Sequence, residues 1–322
     1  MVLKILLILL SVMVLTGIIL LIRSAYERCT LSVSEYRIAS PKLPESFDGL
    51  SFVYLSDLHD DRFGEKNKEL TDRIRELNPD WLLFGGDMTS EQDKNNTPFA
   101  AFEEILEAFP DKVKYFGFGN HEYRIYTKDH RKAMRERGDE LFQKYGITVL
   151  RDKIIRLDRR GKIISNEASP EASTEAAAEA SPETSPEAIY LGGFEPGVEF
   201  YQRGPRVPMP SDYVEGKLGK APEGFIIILC HTPLYMEEIT SWGADLVLSG
   251  HFHGGTIRLP HNIGLMTPQF QFFNRCCYGL IPCKKGTGIV SGGLGTHTVR
   301  IRLNDKPDIV RVTLVREDPS VK

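Results

Sequence analysis

Five short apolar segments recur along this chain, and each is followed at once by residues whose side chains bind metals or move protons. The segments are residues 52–55, 81–84, 113–118, 225–229 and 246–248. Continuous apolar runs of this length are typical of strands buried on both faces, and helix-like spacing occupies several of the intervals between them. This alternation predicts an α/β fold in which helices cover β-sheets, with residues 288–316 mostly β.

The polar residues that follow these segments are of a restricted kind. In chain order they are Asp57, His59, Asp87, Asn120, His121, His231, His251 and His253. In α/β folds, ligands bind at the carboxyl ends of the strands. Carboxylate, amide and imidazole groups suit Mn, Fe or Zn. Even seven of these eight side chains would be too many ligands for one catalytic ion that keeps an open position. Seven ligands do fit two divalent metal ions about 3.5–4 Å apart that share a carboxylate.

The ordered motifs DLH, GGD, GNHE, CHTP and GHFHGG resemble the calcineurin-like metallophosphoesterase family over most of the chain after residue 50. The apolar N-terminus and a later GLGT turn are most similar to its membrane-anchored phosphodiesterase branch, which includes enzymes that cleave the pyrophosphate of a lipid-A precursor. The resemblance implies two mixed β-sheets in a sandwich flanked by helices. It also implies a dinuclear-metal phosphoesterase, in which a hydroxide between the ions attacks a phosphodiester or pyrophosphate. A lipid-linked substrate is one option.

The resemblance further implies a role for each residue of the series. The implied metal ligands are Asp57, His59 and His253 for the first ion, Asn120, His231 and His251 for the second, and Asp87 as the bridge between them. His121 would be catalytic rather than a ligand, and would stabilise the transition state or protonate the leaving alkoxide. Ser90 stands where many family members carry a second Asp, which puts metal affinity and ligand orientation in doubt.

Residues 5–22 are an unbroken run of 18 uncharged, mostly apolar residues. As a helix this run is about 27 Å long, close to the hydrocarbon thickness of a bilayer. A cleaved signal peptide is the alternative, but the residues after Ile22 offer a poor cleavage site. We therefore expect residues 1–29 to be a single-pass membrane anchor and residues 30–322 to be the metallophosphoesterase domain. Resemblance to the anchored branch places that domain outside the cytoplasm.

Two further segments have an unusual composition. Residues 166–188 contain no aromatic or branched aliphatic residue, which predicts a disordered insertion in a surface connection of the domain. Residues 267–280 contain three Phe and one Tyr. We expect these aromatic side chains to pack beneath a long loop; the alternative is that they face an acyl chain or the membrane.

Composition limits the other function classes. The net charge of -4 provides no basic excess for a nucleic-acid partner. Five cysteines are too few for a disulfide scaffold, and Cys276, Cys277 and Cys283 lack the spacing of a metal site. The sequence does not indicate an oligomeric state. Three alternative functions stay open: a phosphomonoesterase on the same site, a metallohydrolase of non-phosphorus substrates, and a non-catalytic anchored metal-binding module.

Overall fold

The computed structural model describes residues 1–91, 97–166, 187–296 and 300–317. Its α-helices are α1 (Val2–Arg28), α2 (Lys68–Leu77), α3 (Ala100–Glu107), α4 (Asn120–Thr127), α5 (Lys132–Lys144), α6 (Tyr213–Leu218) and α7 (Met236–Trp242). Its first strands are β1 (Ser32–Ser40), β2 (Ser51–Leu55), β3 (Trp81–Phe84), β4 (Val113–Gly117), β5 (Thr148–Leu150), β6 (Lys153–Leu157), β7 (Ile163–Asn166) and β8 (Ile189–Gly193). The later strands are β9 (Ile226–Leu229), β10 (Leu246–Ser249), β11 (Arg258–Leu259), β12 (Ile263–Met266), β13 (Phe272–Asn274), β14 (Gly279–Pro282), β15 (Thr287–Val290) and β16 (Asp308–Arg316).

Two mixed sheets form the body of the fold. One has the strand order β1-β16-β2-β3-β4-β5, and the other has the order β14-β15-β10-β9-β8-β6-β7. Both contain parallel neighbours, such as β2 with β3 and β9 with β10, as well as antiparallel ones. This confirms the predicted α/β class with mixed sheets. A third, three-stranded sheet, β11-β12-β13, was not predicted.

The two large sheets pack face to face, and alternation along their strands builds three core layers. Trp81 and Leu83 of β3 share the inner layer with Ile227 of β9, whereas Leu82 and Phe84 face outward. Helices α2, α3 and α5 cover that outer face, and α6 and α7 cover the outer face of the second sheet. Because these strands are buried on both faces, their sequences are continuous apolar runs rather than alternating ones.

Some local predictions were wrong. In the described residues, the region 291–307 contains no strand and only an isolated bridge at Leu303. The segment 267–280 contains β13 and the start of β14, and it holds Phe270, Phe272 and Phe273 on an outer surface, 49%, 61% and 63% exposed. These rings therefore do not pack beneath a loop.

The helix α1 is long and apolar enough to cross a membrane, and its apolar side chains are exposed over most of its length. Its last turn differs, because Ser24 and Glu27 are buried against the domain. The N–H of Arg302 donates to Ser24 Oγ (3.0 Å), and the N–H of Asp305 donates to the Glu27 carboxylate (3.1 Å). Arg23 Nε pairs with the same carboxylate at 2.8 Å. The end of α1 is thus fixed to the segment 302–305.

The predicted insertion at 166–188 lies almost entirely outside the described residues and stays a prediction. Strands β7 and β8 flank β6 on either side, and both run antiparallel to it. Since neighbouring strands lie about 4.8 Å apart, the connection from β7 to β8 has to cross about 10 Å over one strand.

Replacing residues 167–186 with an eight-residue Gly/Ser linker is expected to leave the fold intact. Eight residues span this distance, and shortening a flexible connection from 20 to 8 residues changes its closure entropy by less than about 1 kcal/mol. The melting temperature, followed by circular dichroism, should stay within about 3 °C of wild type. A fall of about 10 °C or more would show that the segment packs on the domain.

Candidate metal centre

The loops after β2, β3, β4, β9 and β10 meet where the two large sheets adjoin. The sites predicted from the sequence therefore come from the strand ends of two sheets, rather than from one sheet edge. These loops gather every predicted site residue at one centre: Asp57, His59, Asp87, Asn120, His121, His231, His251 and His253. Each of them is buried or nearly so.

Asp57, His59 and His253 form one potential ligand set, whose ligand atoms lie within 4.8 Å of one another. His253 Nε2 is 3.3 Å from Asp57 Oδ1 and 3.2 Å from His59 Nε2. The opposite ring nitrogen of His253, Nδ1, donates to the carbonyl of Gly295 at 3.0 Å. In a neutral imidazole this leaves Nε2 unprotonated and directed at the cluster. These are the three residues expected to hold the first ion.

Asp87, His231 and His251 form a second set of the same kind. His231 Nε2 lies 3.1 Å from Asp87 Oδ2, while its Nδ1 donates to the carbonyl of Gly85 at 2.7 Å. Asn120, the first residue of α4, lines the same cavity. The side chains expected to hold the second ion are therefore close to those of the first set.

Asp87 lies between the two sets. Its Oδ2 is 3.1 Å from His231 Nε2 and 3.9 Å from His59 Nε2, and its Oδ1 accepts the N–H of His121 at 2.8 Å. Burial opposes ionisation of this carboxyl, but the surrounding histidines hold the pKa of Asp87 well below its ordinary value. An ionised carboxylate that faces both sets is what a bridging ligand requires.

Two buried polar atoms test whether this cluster fits a cation. Asn120 Oδ1 and His251 Nε2 have no hydrogen-bond partner among the described residues. An unsatisfied buried polar atom costs about 1–3 kcal/mol, and a divalent ion would supply the missing interaction to both. The donors are oxygen and imidazole nitrogen, which suit a borderline divalent metal. The cluster therefore fits the metals that the sequence indicates.

His121 is oriented differently from the other histidines. Its Nδ1 accepts the backbone N–H of Glu91 at 3.0 Å, so its neutral form carries the proton on Nε2. That Nε2 lies 3.9 Å from Asp87 Oδ2 and faces the cavity. Distance alone would also let it join His59 and Asp87 as a ligand. An Nε2–H group, however, donates a hydrogen bond and does not bind a cation.

Glu122 is a buried carboxylate whose role the sequence analysis missed. It accepts the N–H groups of Asp87 (2.7 Å), Met88 (2.9 Å) and Gly119 (3.0 Å), and so ties the loop after β3 to the start of α4. Burial, together with the Asp87 carboxylate, raises the pKa of Glu122 to about 8. Its place as the third residue of α4 is the capping-box signal that could have revealed it.

Ser90, the departure from the family pattern, is held by a different carboxylate. Asp60 accepts the N–H of Ser90 at 2.8 Å and the hydroxyl of Thr89 at 3.0 Å. Asp60 directly follows the DLH motif, so it ties the loops after β2 and β3 together. The loop after β3 is therefore fixed by Asp60, although position 90 carries Ser and not Asp.

The ligand loops have an unusual backbone. Five of the seven expected ligands have φ between 44° and 66°, a region that side chains other than Gly rarely adopt: Asp57, His59, Asp87, His251 and His253. Such strain is held only where the surroundings enforce it, and it concentrates at functional sites. Close loop packing enforces it here. A Cβ on Gly86 would lie 2.0 Å from the backbone N of Gly119.

Two connected cavities open from the cluster. The first, of about 540 Å³, is lined by five of the seven expected ligands and also by Arg124, Tyr201 and Arg203. The second, of about 590 Å³, shares His253, Pro268 and Arg203 with the first. No sequence motif marks Tyr201, which ends a short 3-10 helix after β8, or Arg203, which lies in the irregular chain that follows.

This fold and cluster define an α/β protein with two large mixed sheets and a buried cluster of His and Asp groups that could hold divalent metals. Residues 50–255 match the family of calcineurin-like phosphoesterases. The chain therefore belongs to the calcineurin-like phosphoesterase family, as the ordered motifs indicated. Family membership and the two ligand sets together support a metal-dependent phosphoester hydrolase.

Several relatives share this family. A Danio rerio transmembrane protein with a metallophosphoesterase domain is 30% identical over 290 residues, which cover 88% of this chain and 57% of that protein. The chain thus spans little more than half the length of that relative. The metallophosphoesterase YkuE of Bacillus subtilis is 26% identical over 288 residues, which cover 88% of this chain and 85% of that protein. A solved structure of a putative 5'-nucleotidase from Staphylococcus aureus, 13% identical, superposes with a TM-score of 0.41 over 84% of this chain and 55% of that one.

His121→Ala and Asp87→Asn should differ in metal content. Since Nε2–H of His121 is a donor, His121→Ala is expected to keep the manganese content of wild type. Asp87→Asn removes the charge between the two sets and is expected to lose at least one ion per chain. Both would be measured by inductively coupled plasma mass spectrometry after loading and gel filtration. Loss of an ion from His121→Ala would make His121 a ligand.

Proposed function

We propose that this chain is a membrane-anchored dinuclear-metal hydrolase of phosphodiester or pyrophosphate bonds. The observation that carries the proposal is the pair of adjoining ligand sets with the ionised Asp87 between them. His121 supports it, because its Nε2–H faces the same cavity. The two ions would be manganese, iron or zinc.

Each residue has a defined task in this proposal. When bound, two divalent ions activate water at neutral pH and neutralise charge on phosphoryl oxygens. The proposed ligands are Asp57, His59 and His253 on one side, Asn120, His231 and His251 on the other, and Asp87 between them. His121 Nε2 donates to a phosphoryl oxygen, or to the leaving oxygen as its bond to phosphorus breaks. Glu91 N–H and Glu122 hold His121 and the Asp87 loop in place.

The connection between the two cavities favours a substrate with two organic groups on phosphorus. Since both cavities share Arg203, His253 and Pro268, a phosphorus atom at the ligand cluster has space on two sides. A monoester would fill only one side, whereas a diester or a substituted pyrophosphate would fill both. This geometry supports the diester reading over the phosphomonoesterase alternative.

The contacts of α1 support an anchor that is retained. Cleavage beyond Glu27 would remove Ser24 and Glu27, and with them the acceptors for the buried N–H groups of Arg302 and Asp305. Cleavage directly after Ile22 would leave both acceptors on a free N-terminal turn without the helix that precedes them. Unpaired buried donors are costly, so these contacts suit a helix that stays on the chain. The zebrafish relative is named a transmembrane protein. We place the catalytic domain outside the cytoplasm, by resemblance to the anchored branch.

With manganese, the full chain in detergent is expected to hydrolyse bis-p-nitrophenyl phosphate faster than p-nitrophenyl phosphate. Asp87→Asn should abolish both activities, because it removes the bridging charge. Asp72→Asn, an exposed carboxylate on α2, is the matched control and should retain them. Release of p-nitrophenolate measures all three proteins. A strong preference for the monoester would favour a phosphomonoesterase, and metal binding without cleavage of either ester would favour a binding module.

The full chain is expected to stay in the membrane fraction after alkaline carbonate extraction, because α1 spans the bilayer. Mass spectrometry should then find the N-terminal helix on the mature chain. In right-side-out vesicles, added protease should digest the domain if it lies outside. A soluble mature chain that begins after Ile22 would refute the anchor, and protection from protease would refute the assigned side.

A further inference from the structure

The second cavity differs from the metal centre in chemical character. Its walls include Met266, Pro268, Phe270 and Ile301, and most of its accessible lining is apolar. We refer to this cavity as the apolar cleft. Its contact with the metal centre makes it part of the route to the reacting phosphorus.

Arg203 stands where the two cavities join. Its guanidinium lies 4.6 Å from the centre of the Phe270 ring, and it lines both cavities. Within the described part of the chain it forms no ion pair with a carboxylate. A cation at this junction suits the negative charge of a phosphoester whose apolar part continues into the cleft.

The membrane anchor ends on the wall of the apolar cleft. Ile301 and Arg302 line the cleft, and the N–H of Arg302 donates to Ser24 in the last turn of α1. Ser24 follows the last apolar residue of the span, Ile22, by two positions, which is about 3 Å along a helix. The cleft wall therefore lies within one helical turn of the predicted bilayer surface.

The sheet β11-β12-β13 extends this surface with exposed aromatic side chains. Phe272 and Phe273 project from β13, and Phe270 forms part of the cleft. The same sheet is joined to the segment that holds α1, since Arg258 N–H donates to the carbonyl of Leu303. Aromatic side chains are enriched at membrane interfaces. The cleft, its aromatic edge and the anchor are therefore parts of one connected region.

From these contacts we infer that the apolar cleft binds an alkyl or acyl chain of the substrate while the phosphorus lies at the metal centre. The inference rests on the proposed function and narrows its substrate class to amphiphilic phosphoesters. The anchor holds the cleft beside the bilayer, so such a chain reaches the cleft without crossing water. Arg203 marks the boundary between the charged and apolar parts of the substrate.

A series of p-nitrophenyl n-alkyl phosphodiesters, with chains of one to eight carbons, tests this inference. The full chain would be assayed in lipid nanodiscs with manganese, with each ester below its critical micelle concentration. Full burial of a methylene corresponds to roughly a fourfold gain. We therefore expect kcat/KM to rise with chain length, by about two- to fourfold per methylene.

Two variants separate binding in the cleft from partition into the nanodisc. Met266→Gln keeps the side-chain length but makes this wall polar, and Ile301→Thr changes a second wall. Each is expected to lower the ratio of kcat/KM for the eight-carbon ester to that for the one-carbon ester by about tenfold, on the same area scale. The ratio corrects for general loss of active protein. Leu280→Gln, an exposed apolar residue outside the cleft, is the matched control and should keep the wild-type ratio.

The outcomes distinguish this inference from the proposed function. If wild type, Met266→Gln and Ile301→Thr all gave the same ratio of kcat/KM for the eight-carbon ester to that for the one-carbon ester, binding of the chain in the cleft would be refuted. Partition into lipid would then explain the gain. A wild-type rate that is independent of chain length would overturn it as well. Failure of the metal-loaded wild type to cleave any ester, including the one-carbon ester, would instead refute the phosphodiesterase function.

Discussion

The rest of the site depends on the buried carboxylate of Asp87. A negative charge at this depth has to be compensated, because burial strongly disfavours an isolated ion. The chain compensates it with His231, a backbone N–H from α4 and nearby imidazoles. Glu122 accepts the N–H of the same residue and ties its loop to α4, and because its pKa is raised to about 8 it adds little negative charge there at neutral pH. An ionised carboxylate surrounded by imidazole groups is suited to hold cations, and the close packing of the loops around it enforces their strained backbone.

Much of the fold could be predicted from the sequence because its strands are short, apolar and buried on both faces. The bounds of β3 follow directly from the run at residues 81–84, and the residues of the motifs that follow the strands come together in one cluster. The backbone geometry of those ligands could not be predicted. Positive φ at residues such as Asp57 and His253 is imposed by loop packing between two sheets, and local sequence preference argues against it.

Other features escaped prediction because they depend on contacts between distant segments. Arg203 lies in irregular chain and gains its position only when it stacks on Phe270, 67 residues further on. The three-stranded sheet is made of very short strands with little periodicity, so the aromatic residues of 267–280 were expected in a packed loop. Asp60 compensates for Ser90 from a different strand end. Each of these is a tertiary effect that no single-segment pattern contains.

The helix α1 and the proposed metal centre are linked by a short series of polar contacts. Ser24 of α1 accepts from Arg302, whose side chain donates to the carbonyl of Gly295, and the same carbonyl accepts from His253. His253, a proposed ligand of the first ion, is thus positioned by the segment to which the end of α1 is fixed. The buried Arg302 therefore makes two kinds of contact near the centre. Its side chain donates to the GLGT turn, and its backbone N–H donates to α1.

We propose that Asp87 bridges two ions, and electron paramagnetic resonance of the manganese-loaded full chain would detect such a bridge. Two Mn²⁺ ions about 3.5–4 Å apart that share a carboxylate should give an exchange-coupled spectrum. Asp87→Asn should replace that spectrum with the six-line signal of isolated Mn²⁺. An uncoupled six-line signal from fully loaded wild type would show that Asp87 does not bridge two ions.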